Sequence, residues 1–419
     1  MHSFCGLDFG TSNSTIGIGK NNNCQLVPLD GDKLSIRSAI FCDNEKKEWV
    51  YGQHGIDDYL EGVPGRLMMA IKSVLGSSLM EEDTVIFNEL VPFTKILSQF
   101  VKHIKNTAEK TLGNELTQVV LGRPVRFDDH DDNKDRYAQD TLEKIARDLG
   151  FKEILFQYEP IAAALTYEMS IQSEQLALII DMGGGTSDFT VIRLHPNTKK
   201  LDRTGDVLAN CGIHIAGTDF DQRLSIKTIM PLLGMGSLMR GSSSDIEVPS
   251  IFYHNLTTWH TLNNLYKPTT LTQVRSIQTM AYEKNLLARL LHVLQRRSGH
   301  RILDVVETCK QRLSDELEIL LDLSFIESGL DTSIERTTLN ESIEDHLQKI
   351  INTIQKTIKT AGIKSTDINA IFYTGGSTKI PLIREKINAM FPQAQVVQGD
   401  AFGSVGLGLT IDAQRKFGF

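Results

Sequence analysis

Two stretches of this chain, 173 residues apart, repeat one pattern, and the repeat limits what the chain can fold into more than any other feature. The first reads Gly6-Leu-Asp-Phe-Gly-Thr-Ser-Asn-Ser-Thr15-Ile-Gly-Ile-Gly19, the second Leu178-Ile-Ile-Asp-Met-Gly-Gly-Gly-Thr-Ser-Asp188-Phe-Thr-Val-Ile192. Aligning Asp8 with Asp181 puts Gly10 on Gly183 and Ser14 on Ser187. In each copy an apolar run ends at an aspartate, a turn of small residues follows, and an alternating strand resumes, which is the pattern of a β-hairpin. Glycines permit positive φ and let backbone N–H groups approach an anion closely. The aspartates flanking the turns, Asp8, Asp181 and Asp188, offer carboxylates to a hydrated Mg²⁺. A lone Gly-Gly-Gly would be read as a loop; the second copy carries the case. A P-loop is excluded, because each turn feeds a strand and no Gly-Lys-Ser/Thr follows. A dinucleotide fingerprint is excluded because no helix starts at either turn. Two matched hairpins imply two related lobes gripping one polyphosphate.

Composition narrows the setting. A chain of 419 residues is long enough for two or more full cores, and 41% hydrophobic with 23% charged residues is ordinary for a soluble protein. A net charge of −8 gives no basic field for nucleic acid or an anionic membrane. Five scattered cysteines without a Cys-x-x-Cys pair fit reduced thiols better than a disulfide framework or a zinc site. The N-terminus meets Asp8 without a basic-apolar-small succession, and no apolar run reaches spanning length, so the expectation is a cytoplasmic chain without signal peptide or membrane anchor.

The two hairpins, in this order, resemble the actin-like ATPase superfamily, and Tyr373-Thr-Gly-Gly-Ser-Thr-Lys-Ile-Pro381 resembles its adenosine-binding motif. In detail the sequence is similar to the heat-shock protein seventy (DnaK) chaperones, and among them to the truncated members called YegD. The resemblance runs from about Cys5 to Thr410. It implies an α/β actin-like ATPase (ribonuclease H-like) fold, two lobes of mixed sheets with flanking helices around a nucleotide cleft. Lobe I would span 1–173, with a trimmed subdomain at about 42–92, and be completed by a C-terminal helix at 399–419. Lobe II would span 174–398, with its own subdomain at about 218–318.

The resemblance also implies roles. The turns Gly10-Thr11-Ser12-Asn13 and Gly183-Gly184-Gly185-Thr186 would hold phosphates, with Asp8 and Asp181 on Mg²⁺ through water. Ala70-Ile-Lys-Ser-Val-Leu-Gly76 matches the segment whose lysine, here Lys72, contacts the terminal phosphates; on its own Lys72 would be read as a solvated helix lysine. Tyr158-Glu-Pro-Ile-Ala-Ala-Ala164 matches the block whose glutamate, Glu159, positions water and metal, and its alanines imply a closely packed neighbour. Lys72, Glu159, Thr186 and Asp181 are thus the catalytic set. Pro124 matches a proline that relays nucleotide state, with Arg136 its nearest candidate partner. The acidic run Asp128–Asp132 reads as a solvated loop before a helix at 134–150.

For the nucleoside, Gly217, Glu307, Lys310, Gln311, Ser314, Gly375, Gly376, Ser377, Lys379 and Asp400 fall on the matching positions. Glu307-Thr-Cys-Lys-Gln-Arg-Leu-Ser314 is expected on a helix, which puts Glu307, Lys310 and Ser314, three and four apart, on one face. Thr218 stands where the family has a ribose-binding glutamate, Gln311 where it has a basic residue, and Lys379 where it has an arginine stacked on the base; each change implies weaker base and ribose contacts. The bland reading of Arg289, Arg296, Arg297 and Arg301 is a solvated helix face. The sequence reaches Phe419 without the linker and β-sandwich through which the family holds client peptides, so the expectation is a slow ATPase acting beside a chaperone system. Its ligands would be ATP or ADP with Mg²⁺, K⁺ being a second candidate ion, and its partners other chaperone-system proteins, with no nucleic acid and no membrane. A nucleotide sensor without turnover is the alternative, and a small-molecule kinase of the same superfold ranks last.

Overall fold

The hairpin repeat extends to whole sheets. The computed structural model describes every residue except 1–3, 21–22, 76, 129–130, 197–199, 242, 398–402 and 419. By density of contacts it divides into Met1–His214 with Asn352–Thr378 and Ile387–Phe419, and Ile215–Ile351 with Lys379–Lys386. Both hairpins, and the expected lobe boundary near 173, lie inside the first unit.

In that unit the first hairpin joins strand β1 (Phe4–Asp8) to β2 (Asn13–Lys20), with β3 (Asn23–Leu26) beyond. On the other side of β1 lie β4 (Gln118–Arg123) and β5 (Glu153–Tyr158), both parallel to their neighbours. The second hairpin joins β6 (Gln175–Met182) to β7 (Ser187–Leu194), with β8 (Val207–Ile213) beyond. Across from it run β9 (Ala370–Thr374) and β10 (Gln395–Val397), again parallel. The two orders, β5-β4-β1-β2-β3 and β10-β9-β6-β7-β8, correspond strand for strand in position and direction. The register repeats as well: Asp8 pairs with Thr15, and Asp181 with Asp188.

Central strands are apolar almost throughout because both faces are covered. Helix α1 (Phe93–Leu112) lays Ile96, Leu97, Phe100, Val101 and Ile104 on the first sheet, where Phe100 meets Phe9 with ring centroids 5.8 Å apart. Helix α2 (Asp132–Asp148) starts two residues earlier than its pattern suggests, since Asp131 caps it by accepting from the amides of Asn133 and Lys134. The acidic run is therefore partly a cap rather than a solvated loop. Helix α3 (Glu159–Glu168) carries the alanines, and the close neighbour they imply is helix α4 (Ser404–Phe417). A Cβ on Gly408 would lie 1.9 Å from the carbonyl oxygen of Ala162, and one on Gly6 would lie 2.2 Å from the amide nitrogen of Thr410. Residues 39–92 form a three-stranded sheet, a helix and a β-hairpin, linked by short 3-10 turns.

The second unit is mostly helical. Helix α5 (Gly217–Thr228) packs on α6 (Gly299–Arg312), beside a hairpin of Glu318–Asp322 with Asp331–Glu335. Three arginines of the expected basic cluster are engaged in this structure: Arg289 with Glu327 at 2.7 and 3.0 Å, Arg297 over the Tyr266 ring and Arg301 over Phe325.

In the first unit, Arg203 donates from both terminal nitrogens to Glu168 at 2.7 Å and from Nε to Asp206, all three side chains being buried. Burial alone would raise the Asp206 pKa, but hydrogen bonds from Arg203 and Lys200 hold it below the ordinary value. A depressed carboxylate stabilises the fold above its unfolded pKa and loses that contribution as pH falls through the folded one. Arg203→Met is expected to cost about 3–5 kcal/mol by removing the buried cation that Glu168 and Asp206 share, which leaves Asp206 only the partly exposed Lys200 at 3.1 Å. Urea unfolding of wild type and variant at neutral pH measures the loss, which shrinks as pH falls below the carboxylate range; a loss under about 1 kcal/mol would contradict it.

Candidate functional site

The ends of β1 and β6 bring four charged groups together. Asp8 and Asp181 close their strands, and Glu159 opens α3, where Pro160 sets the first turn. Lys72 lies in a 3-10 turn, Ile71–Val74, not on an α-helix; Ala70 ahead of it takes a left-handed conformation with φ of 53°. Lys72 is buried, 8% exposed, and its Nζ stands 2.7 Å from Glu159 Oε1. The solvated reading of this lysine is thereby excluded.

The electrostatics are lopsided, with one ammonium among three carboxylates. Burial first, then the charges of Glu159 and Asp181, push the Asp8 pKa up to about 8 against the pull of Lys72. Burial and Glu159 also raise Asp181, against a hydrogen bond from Thr374 and the charge of Lys72. Burial alone would lower the pKa of Lys72, yet Glu159, Asp8 and Asp181 together hold it above its ordinary value. Such a cluster of hard oxygen donors in excess of positive charge fits a divalent cation. Among the described residues no three histidines, cysteines or carboxylates are arranged to hold a metal by themselves. One or two carboxylates are what a hydrated Mg²⁺ takes from a protein, the rest of its shell being waters and phosphate oxygens.

The two turns approach each other: the amide of Gly184 donates to Ser12 Oγ at 3.1 Å. Gly10, Thr11, Ser12, Asn13, Gly183 and Gly184 are partly accessible, Gly185 and Thr186 exposed. None of Gly10, Gly183, Gly184 and Gly185 adopts positive φ, and at Gly10 and Gly184 glycine is needed for close approach instead. A Cβ on Gly10 would lie 2.1 Å from the Asn13 carbonyl oxygen, and one on Gly184 would lie 2.5 Å from Ser12 Oγ. The left-handed glycine is Gly375, with φ of 78°, where the chain leaves β9.

Supporting groups brace both turns. Ser38 Oγ donates to the Gly10 carbonyl at 2.7 Å and meets Ser14 Oγ at 2.9 Å, bracing the first turn from 24 and 28 residues away. Ser377 Oγ donates to the Gly183 carbonyl at 2.8 Å, bracing the second. The arginine tied to the Pro124 segment is Arg123, while Arg136 is exposed on α2. Arg123 donates to the Pro124 carbonyl at 3.0 Å, binds both Asp135 oxygens at 2.9 Å, and covers the rings of Phe127 and Tyr158. A narrow cleft reaches Glu159 and Asp181 past Pro124, Thr190, Asn210 and Val405.

The expected nucleoside residues are placed individually. In the second unit Lys310 is buried and donates to the Gly217 carbonyl at 3.0 Å and to Asp221 at 2.7 Å, fixing the start of α5. Gln311 is exposed and donates to Glu307 at 3.1 Å, and Thr218 is exposed at the first turn of α5. Ser314 is not on the helix face shared by Glu307 and Lys310: α6 stops at Arg312, and Ser314 lies in the turn whose carbonyls Arg336 binds. Gly376, Ser377 and Lys379 form a 3-10 turn, with Lys379 exposed. Asp400 lies outside the described residues.

Comparison with known proteins follows this geometry. A family model described as Hsp70 protein matches residues 69–230 and 292–414, well over half of the chain. The chain is 24% identical over 435 residues to a chaperone protein HscA homolog of Shewanella woodyi, covering 99% of this chain and 58% of the relative. It is 24% identical over 421 residues to chaperone protein DnaK of Buchnera aphidicola, covering 93% and 56%. The chain thus spans little more than half the length of these relatives. No helix among the described residues is long and apolar enough to cross a membrane.

Replacing the Lys310 ammonium by an apolar chain, Lys310→Met, removes the cation from a pair whose side chains are 9% and 14% exposed. The expected loss is about 3–5 kcal/mol in denaturant unfolding. A variant within about 1 kcal/mol of wild type would show that the pair does not hold α5.

Proposed function

Because the chain belongs to the Hsp70 protein family, we propose that it binds ATP or ADP with Mg²⁺ and hydrolyses ATP slowly, as a cytoplasmic component of a chaperone system. The observation that carries this reading is the Lys72–Glu159 pair, which burial and charge couple to the aspartates that end the first strand of each hairpin. Phosphoryl transfer asks a protein mainly for positioning and charge stabilisation. Lys72 supplies positive charge for the terminal phosphates. Glu159 orients the attacking water and accepts its proton, and the Thr186 hydroxyl orients the γ-phosphate. Asp8 and Asp181 hold the waters of the cation. Mg²⁺, when bound, supplies charge neutralisation between phosphate oxygens, and K⁺ is a second ion of the same use. Gly217, Glu307, Lys310, Gln311, Ser314, Gly375, Gly376, Ser377, Lys379 and Asp400 form the nucleoside side of this reading. Other chaperone-system proteins are its partners; nucleic acid and membrane are not.

A sensor that binds nucleotide without turnover is the second reading, favoured by Thr218, Gln311 and Lys379 in place of the family's larger or planar contacts. Calorimetry and phosphate release separate the two. ATP binding with release is expected, falling roughly 10²-fold in Lys72→Ala and Glu159→Ala. Binding without release supports the sensor, and no binding of ATP or ADP at millimolar concentration rejects both.

Base recognition is expected to be loose. Cation stacking on an aromatic base contributes about 0.5–1 kcal/mol at exposed sites; Gln311 is uncharged and Lys379 lacks the planar guanidinium. Micromolar ATP affinity with modest preference over GTP should result, and a Gln311→Arg/Lys379→Arg variant should bind ATP more tightly. Nanomolar, adenine-selective binding by wild type would refute this, as would a variant that gains nothing.

A further inference from the structure

The paired sheets differ at one position that bears on the carboxylates. Asp181 stands in register with Thr374, the last residue of β9. In the first sheet Leu7 pairs with Leu121, so the next position along, opposite Asp8, is Gly122, which has no side chain to offer. Thr374 is 4% exposed and, as the in-register partner of Asp181 on the adjacent parallel strand, puts its hydroxyl on the same face of the sheet as that carboxylate, where a donor pulls the Asp181 pKa down against burial. The following residue, Gly375, runs so close that a Cβ there would lie 2.9 Å from Asp181 Oδ1 and 2.3 Å from the Met182 carbonyl oxygen. Ser377 then bonds the Gly183 carbonyl at 2.8 Å. The segment from 374 to 377 therefore grips the second phosphate turn at its carboxylate and at its first glycine.

We propose that Thr374 is a positioning residue that orients Asp181 toward the cation, making Asp181 the ordered metal-side carboxylate and Asp8 the looser one. The inference rests on the reading of the site as one for Mg²⁺ and nucleotide. A carboxylate at a strand end can turn about two side-chain bonds. A hydroxyl donor from a buried, β-branched neighbour fixes one of its oxygens and leaves the other directed at the cleft. The segment taken on sequence grounds to serve the nucleoside thus has a second task on the metal side.

Thr374→Val keeps the shape and removes the hydroxyl; Thr374→Ser restores it on a smaller side chain. Mg²⁺ is titrated calorimetrically into protein saturated with ATP, and ADP binding is measured separately in excess chelator. The expected result for Thr374→Val is an Mg²⁺ dissociation constant raised about tenfold, as for the loss of one hydrogen bond to a charged group. Magnesium-free ADP affinity should stay unchanged, and Thr374→Ser should recover most of the Mg²⁺ affinity. Equal Mg²⁺ isotherms for Thr374→Val and wild type would overturn the inference. So would an equal loss of magnesium-free ADP binding, the mark of a merely structural role, or failure of Thr374→Ser to bind Mg²⁺ better than Thr374→Val. A wild type that binds no ATP, or binds it without regard to Mg²⁺, would instead remove the underlying reading, a result distinct from equal isotherms.

Discussion

A single ammonium group, that of Lys72, stands against three carboxylates, and much of the first unit is arranged to keep it there. Like charges brought within a few ångströms in a partly buried site repel strongly, and each separately prefers water. The backbone bears this cost. Two strands end at their aspartates, a helix opens on Glu159 with a proline in its first turn, and Lys72 is delivered by a short turn behind a left-handed alanine. Positive φ at a residue with a side chain persists only where its surroundings demand it. Polyphosphate and a divalent cation bring both signs of charge at once, which is the complement such a cluster lacks.

Legibility followed locality. The hairpins could be read because strand, aspartate and small-residue turn lie within about fifteen residues and occur twice. Lys72 carried no signal of its own; only the flanking resemblance raised it, since its partner Glu159 is 87 residues away. Ser38, Thr374 and Arg123 carry no signal for the same reason, being ordinary residues whose partners are set by the fold; Ser377 is legible as part of the Gly375-Gly376-Ser377 turn, but its bond to the Gly183 carbonyl is not. Of the two uses of glycine that the sequence suggests, positive φ and close approach, Gly10 and Gly184 show the second: each clears an oxygen of its neighbours, the Asn13 carbonyl and Ser12 Oγ, and neither takes positive φ. The periodicity through Ser314 overran the helix because pattern does not register where a tertiary contact, here Arg336, takes over the terminal carbonyls.

The two sheets agree in strand order and direction and part at the ends of two equivalent strands. After β4 the chain goes to Arg123 and Pro124, locked by Asp135; after β9 it goes to Gly375, which only a glycine fits without strain. One equivalent strand end is tied by hydrogen bonds to a helix and the other is closely moulded to its neighbour strand.

Helix α4 has a consequence for biogenesis. It packs on β1 and α3 with backbone against backbone, at Gly6 and Thr410 and again at Gly408 and Ala162, and Cys24 donates its thiol to Gln414. A ribosome releases residues 4–26 nearly four hundred residues before that helix exists. Through most of synthesis the first sheet therefore has an open apolar side, and vectorial folding cannot finish it. The order of synthesis thus leaves that apolar face waiting for residues 404–417, the last helix of the chain to emerge.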